Sequence, residues 1–236
     1  MPRASGCVII STASRCSQRN SALGNTRHVY LLLQRSMPAR SHLVCWRRLD
    51  QPGHDAARLA PRDGGWRLSG TAVLAYDGTP CALTYAVDLD EAWRTRTATV
   101  EGWVGDRVVA VHLAVDDAGH WSRNGVACPQ VAGCVDVDYG FSPATNLLPV
   151  RRLAPAVGES VQVRAAWLRF PELTLEPLEQ TYRRVGERAY AYESAHGAFR
   201  ADLDVDGQGM VIRYGDLWTA EPARVRLGCR ALPNVR

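Results

Sequence analysis

The residues best suited to chemistry lie in one short segment, GCVDVDYGFSPATNLLPVRRL, from Gly133 to Leu153. It holds two aspartates in a D-x-D pattern, a Pro-Ala-Thr-Asn run and an arginine pair. Such groups can form a buried ion-pair network, bind a ligand headgroup or act as a catalytic carboxylate pair. The surrounding elements decide among these three roles. The candidate residues are Asp136, Asp138, Thr145, Asn146, Arg151 and Arg152.

A catalytic pair is geometrically conceivable. In a strand, Asp136 and Asp138 point to the same face, with Cα atoms about 6.5 to 7 Å apart. Retaining glycosidases hold their carboxyl groups about 5 to 5.5 Å apart, on opposite sides of the scissile bond, and adjacent side chains fit that arrangement poorly. The nearby arginines should also keep both aspartates ionised, whereas acid catalysis needs one carboxyl group that stays protonated. We therefore favour a protein without catalytic residues, with a hydrolase that uses Asp136 and Asp138 as the alternative.

The structural alternative is that the aspartates pair with Arg151 or Arg152, or accept backbone hydrogen bonds, and so fix an irregular crossover against a sheet. We expect Asn146 and at least one of the arginines to be buried or half-buried. Adjacent residues of a strand face opposite ways, so both arginines can face one cavity only if the stretch is helical or bulged. Which arginine faces the cavity is left open.

The elements around this segment have the period of two that is typical of β-strands. Alternation from Gly65 to Asp90 around Asp77-Gly78 predicts a hairpin, and Gly105-Asp106 predicts the turn of the next one. Short helices are predicted only around Thr145 to Leu148 and around Leu178 to Arg184. Strands recur about every ten residues, which predicts an all-β, mainly antiparallel fold: a single sheet curled toward a barrel.

Composition limits the partners. The chain has 236 residues, of which 46% are hydrophobic, and this suits one sizeable domain. The first forty residues hold six arginines and no acid, which leaves 22 basic residues against 24 acidic ones. Arginines scattered over a slightly acidic body predict no nucleic-acid partner. No apolar run approaches the ~18 residues that a membrane span needs, so no transmembrane segment is predicted.

The first forty residues show no sustained period. We expect residues 1–40 to be a disordered or non-native extension, because Met37 stands just before the first convincing strand. The predicted domain covers residues 41–236. Seven cysteines at irregular spacings predict reduced thiols and a cytoplasmic location.

The sequence contains no complete metal-binding or cofactor-binding motif. The run Asp202, Asp204, Asp206, Gly207 opens like a calcium loop, but Arg213 stands where the bidentate Glu should be. The cysteines and histidines lack zinc spacing, and nucleotide-binding and α/β-hydrolase motifs do not occur. We expect no metal and no cofactor.

An ordered series of blocks resembles the bacterial putative glycolipid-binding family, formerly a domain of unknown function. The resemblance runs from about His42 to Trp218, and its most specific part is the segment described first, with DVD and TNLLPVRRL. The 40 residues at the N-terminus lie outside it. The blocks are CWRRLDQPGHDAARL, GWRLSGTAVLAYDG, LTYAVDLDEAWRTRTATV, GHWSRNG, GCVDVDYGFSPATNLLPVRRL, LEQTYRR and DVDGQGMVIRYGDLW.

The resemblance implies an incomplete, strongly curved antiparallel half-barrel, similar to the folds of bacterial lipoprotein carriers. It also implies a glycolipid or another amphipathic small molecule as ligand. The six polar candidates would then line the mouth of a cavity. Trp121 is a seventh candidate ligand-binding residue, since tryptophans placed in strands can stack on sugar rings or line an acyl channel.

A structural or partner-binding β module is the third hypothesis, and it would need neither a cavity nor the polar cluster. The number of subunits is left open. So is the state of the concave face, which an open half-barrel must fill with a helix or with an apolar ligand.

Overall fold

The computed structural model describes residues 41–222. The predicted extension at residues 1–40 lies outside the described residues, so the predicted domain boundary stays a prediction. Within residues 41–222, none of the helices has the length and hydrophobicity that a membrane-spanning helix needs.

Fifteen strands within residues 41–222 form one open sheet, in the order β8-β7-β6-β5-β4-β3-β2-β1-β15-β14-β13-β12-β11-β10-β9. Neighbouring strands are antiparallel except β9 and β10, which are parallel. Two antiparallel meanders therefore meet where β1 pairs with β15, and the predicted curved all-β sheet is confirmed. The strands are β1 His42–Arg48, β2 Gly53–Arg62, β3 Gly65–Tyr76, β4 Thr79–Asp90, β5 Thr95–Val104, β6 Arg107–Val115, β7 Trp121–Arg123, β8 Val126–Ala127, β9 Asp136–Tyr139, β10 Ser160–Arg169, β11 Thr174–Gly186, β12 Ala189–Ser194, β13 Phe199–Val205, β14 Val211–Tyr214 and β15 Trp218–Ala220.

The predicted hairpins form at the predicted turns. Asp77 and Gly78 both have positive φ, at 46° and 76°, which is what a two-residue type I′ hairpin turn requires. Gly105, with φ 55°, makes the turn between β5 and β6. Local turn chemistry thus sets the register of strands β3 to β6.

The helix prediction is half right. One α-helix, α1 Leu147–Leu153, follows a 3-10 turn at Ala144–Asn146 and confirms the helix near Thr145. The helix expected around Leu178 to Arg184 is wrong, because that stretch lies inside β11. It pairs with β10 on one side and β12 on the other, so sheet hydrogen bonds outweigh the helix propensity of its Leu, Glu and Arg residues.

Trp93 is buried although it belongs to no strand. It lies in the turn between β4 and β5 with φ 65°, and its buried ring stacks on Trp66 with centroids 5.0 Å apart. The positive φ turns the chain so that this ring points into the core.

The sheet has a buried inner face and an exposed outer face. Residues of the inner face such as Trp46, Leu68 and Leu83 form one apolar cluster with Phe141 and Leu147. The crossover from β9 to β10, including α1, therefore fills the concave side. This answers the question that the sequence left open: part of the chain itself, rather than open space, occupies the inner face.

Candidate functional site

The two aspartates lie on β9 and are held by different partners. Asp136 is buried and ion-paired with Arg152 of α1; the Nε of Arg152 lies 3.1 Å from Oδ1. Asp138 accepts a hydrogen bond from the Thr145 hydroxyl at 2.9 Å and one from the Gln180 amide at 2.7 Å. The pair thus ties the crossover, β9 and β11 together.

Asn146 and Thr145 complete this polar network. The Asn146 side-chain oxygen accepts a hydrogen bond from the Tyr182 hydroxyl at 2.9 Å, and its amide donates to the Pro143 carbonyl at 3.2 Å. The Thr145 hydroxyl also accepts from the backbone N–H of Tyr139. Within residues 41–222, every buried side-chain nitrogen and oxygen has a hydrogen-bond partner. A saturated network of this kind stabilises one packing of the crossover.

Burial dominates the electrostatics of the network. It raises the pKa of Asp138 to about 6, although the hydrogen bonds from Thr145 and Gln180 oppose the rise. Burial also raises the pKa of Asp136, while the hydrogen bonds and charge of Arg152 act in the opposite direction. Arg152 reaches Asp136, whereas the hydrogen bonds to Asp138 come from the neutral side chains of Thr145 and Gln180, so the expected arginine contact is seen for Asp136 alone among the described residues.

The arginine pair is split by the helix. Successive residues of an α-helix point about 100° apart, and Arg152 contacts Asp136 while the guanidinium of Arg151 lies over the Trp93 ring, 4.7 Å from its centroid. Asn146 is buried and both arginines are half-buried, which confirms the burial prediction. The two adjacent arginines therefore make different contacts: Arg152 forms an ion pair, and Arg151 stacks on an aromatic ring.

Trp121 lies apart from this network. It is buried on β7, and its indole N–H donates a hydrogen bond to the Cys134 carbonyl at 2.9 Å. This bond ties the loop that precedes β9 to the sheet. The structure thus brings six of the seven sequence candidates into one region around α1, and places the seventh elsewhere. Whether any of them binds a ligand stays a prediction.

A second buried cluster was missed by sequence reasoning. Both carboxylate oxygens of Asp55 accept hydrogen bonds from the Tyr85 hydroxyl, at 3.1 and 2.9 Å, and Ser142 donates to the same carboxylate. Burial raises the pKa of Asp55 to about 6. The three residues are far apart in sequence, so spacing could not reveal them. Asp55 does share the parity of Ala57 and Leu59 on β2, which marks it as an acid on the inner face.

An open cavity lies on the outer face of the sheet and is called the outer groove here. Its volume is about 750 Å³. Its walls come from β1 to β4 and from β14 and β15, and its rim includes His42 and Asp206. None of the seven sequence candidates lines it. The outer-face side chains that line the groove include those of Leu43, Cys45, Ala56, Arg58, Thr71, Thr84 and Ile212.

The outer groove is mainly apolar where it is most exposed. Leu43 is 68% exposed, and Cys45 and Ala56, which are register partners on β1 and β2, are also exposed. Polar groups stand beside them: Arg58 donates two hydrogen bonds to the Ser41 hydroxyl, and the hydroxyls of Thr71 and Thr84 are 3.3 Å apart. An apolar surface with a few hydroxyl and guanidinium groups suits an amphipathic molecule.

Comparison with known proteins gives two matches. Residues 43–220 match a family model described as "Putative glycolipid-binding". The chain is also similar to the crystal structure of a DUF1089 family protein from Pseudomonas aeruginosa, with 32% identity and a TM-score of 0.58, over 78% of this chain and 93% of that one. No curated protein matches the chain.

Proposed function

The chain belongs to the putative glycolipid-binding family, and from that premise we propose that it binds an amphipathic glycolipid and does not turn it over. The observation that carries the proposal is the outer groove. Its volume of about 750 Å³ falls within the range of roughly 300 to 1,000 Å³ that small-molecule sites occupy. The inner face is filled by the crossover, so the ligand's apolar part is assigned to the outer face.

The lining of the groove supports this assignment. Leu43 and Ile212 are 68% and 40% exposed, and contiguous exposed apolar surface marks an interaction site. An acyl chain laid over them removes this surface from water. Arg58, Thr71 and Thr84 are donors within reach of sugar hydroxyls at the polar side of the same groove.

The absence of turnover is the second half of the proposal. Asp136 and Asp138, the residues of the hydrolase alternative, do not line the outer groove. The two acids that line the outer groove, Asp206 and Glu221, are already paired with His42 and Arg47. Asp55 lies behind Tyr85, which lines the groove and donates a hydrogen bond to it. Tyr85 and Ser142 already occupy the oxygens of Asp55, so it acts as a structural acceptor. In this proposal the buried network around Asp136 and Asp138 holds the crossover in place, and the residues of the outer groove contact the ligand. A cytoplasmic location stays a prediction.

Native mass spectrometry of the full chain purified from its own host, followed by lipid extraction, tests the proposal. An intact glycolipid recovered in defined stoichiometry is the expected result. Steady release of sugar when that lipid is incubated with the protein would establish the hydrolase instead. If no lipid co-purifies and none binds when added, the result supports a structural or partner-binding β module instead.

A further inference from the structure

A small cavity of about 270 Å³ lies where the end of α1 meets the turn between β13 and β14. We call it the arginine pocket, because three arginines line it: Arg151 of α1, Arg184 of β11 and Arg188 of the turn between β11 and β12. Its floor includes Val150 and Tyr190, and the turn contributes Gly207 and Gly209.

The lining of this pocket carries a net positive charge, from three arginines against two acids. Within residues 41–222, none of its three arginines has a carboxylate oxygen within 4.0 Å, whereas Arg152, the neighbour of Arg151, is ion-paired. Two acids, Glu187 and Asp206, are also in the lining. The Asp206 carboxylate is already engaged by His42 at 2.6 Å and by the backbone N–H groups of Gln208 and Met210.

Two of the guanidinium groups are held in place by neutral partners. Arg184 donates to the carbonyl oxygens of Pro155, Gly186 and Glu187, and its guanidinium lies 5.9 Å from the centroid of the Tyr190 ring. Carbonyl groups orient a guanidinium, yet they leave its full charge, and three of its five N–H donors are used.

Arg151 is positioned in the same way by apolar contacts. Its guanidinium stacks on Trp93, and its side-chain stem passes under the β13–β14 turn, where a Cβ at position 209 would lie 3.1 Å from the Arg151 Cδ. Gly209 has φ 84°, so this close approach depends on glycine. Stacking fixes the plane of the guanidinium and leaves its N–H edge available.

From these contacts we propose that the arginine pocket binds a phosphate group. Guanidinium groups donate paired, charge-assisted hydrogen bonds to phosphate oxygens, and their preorganisation lowers the entropy lost on binding. The group comes either from free phosphate or from a lipid headgroup. Asp206 lines both this pocket and the outer groove, so a headgroup there lies beside the proposed lipid site. The inference does not depend on glycolipid binding.

Calorimetric titration of the full chain with inorganic phosphate, at constant ionic strength set with chloride, tests the free form. Flotation with phosphatidylcholine vesicles, with and without phosphatidic acid, tests the headgroup form. The Arg188→Gln variant should weaken the response about tenfold, because it removes a charge-assisted contact. Arg183→Gln is the matched control, since Arg183 is exposed on β11 and does not line the pocket.

Saturable phosphate binding that is weakened about tenfold in Arg188→Gln and kept in Arg183→Gln supports the pocket with free phosphate as ligand. A response only to phosphatidic acid, with the same variant pattern, supports it with a lipid headgroup. Equal responses of the two variants, or no response to either probe, would overturn the inference. Urea unfolding of each variant confirms that it is folded.

Discussion

Arg152 of α1 is ion-paired with Asp136 of β9, and both side chains are largely buried, at 17% and 2% exposed. This contact joins the crossover that fills the inner face to the parallel edge strand of the sheet. A buried pair of this kind contributes less to stability than its loss costs, because removing one partner leaves an uncompensated charge in the interior. The pair therefore specifies how α1 docks.

The first prediction separates the two adjacent arginines. Arg152→Ala should lower the free energy of unfolding by about 3 to 5 kcal/mol, since it strands the Asp136 carboxylate. Arg151→Ala, which removes a stacking contact with Trp93, should cost about 1 to 2 kcal/mol. Urea unfolding followed by tryptophan fluorescence measures both. Equal and negligible losses would show that the pair is a solvated surface.

Features set by neighbouring residues were predictable from the sequence. The Asp77-Gly78 turn specifies its hairpin by its own backbone preferences, and the helix after Thr145 was also found. The β11 stretch was mistaken for a helix, because its state is decided by β10 and β12 rather than by its composition. Even so, Leu178, Gln180 and Tyr182 alternate with more exposed residues, a period of two that predicts a strand.

In the candidate site, too, local features could be predicted from the sequence and features that combine distant strands could not. The network around α1 lies in one continuous segment, so its members could be recognised together, although the split between Arg151 and Arg152 depended on the helix. The Asp55, Tyr85 and Ser142 cluster and the outer groove combine distant strands. Their formation depends on strand order, which spacing along the chain does not encode.

The second prediction concerns pH. The pKa of Asp138 is raised from 3.8 to about 6 in the folded chain, so the folded state binds the proton more tightly than the unfolded state. Its contribution to stability is therefore present at low pH and is lost as pH rises through about 6, up to about 3 kcal/mol. The pKa of Asp55 is also raised to about 6, so its contribution to stability is likewise lost as pH rises. The free energy of unfolding should fall between about pH 4 and pH 7.

Substitution by asparagine identifies the source of that slope. Asp138→Asn and Asp55→Asn should each reduce the decrease by a similar amount, and the double variant should keep only the smaller slope that Asp136, whose pKa is also raised, contributes. Chemical unfolding at several pH values measures the slopes. A slope in the wild type that both single variants leave unchanged would contradict the assignment.

The third prediction locates the ligand in the outer groove. Leu43→Glu places a charge on the exposed apolar lining and should weaken binding of a fluorescent glycolipid by about tenfold or more, because an acyl chain would have to desolvate that carboxylate. Val108→Glu is the matched control: Val108 is 81% exposed on β6 and does not line the groove. If both variants bind as the wild type does, the ligand lies elsewhere.

The fourth prediction uses a thiol that the groove already contains. Among the described cysteines, Cys45 is exposed, whereas Cys81, Cys128 and Cys134 are buried, and Cys45 lines the groove. Burial and the nearby carboxylates of Glu221 and Asp55 raise its pKa, so alkylation by N-ethylmaleimide should be slow near neutral pH and should accelerate as pH rises. Saturating glycolipid should slow the labelling of Cys45, as measured by peptide mass spectrometry after a timed quench. Labelling at an unchanged rate, with the glycolipid shown to be bound, would place the ligand outside the outer groove.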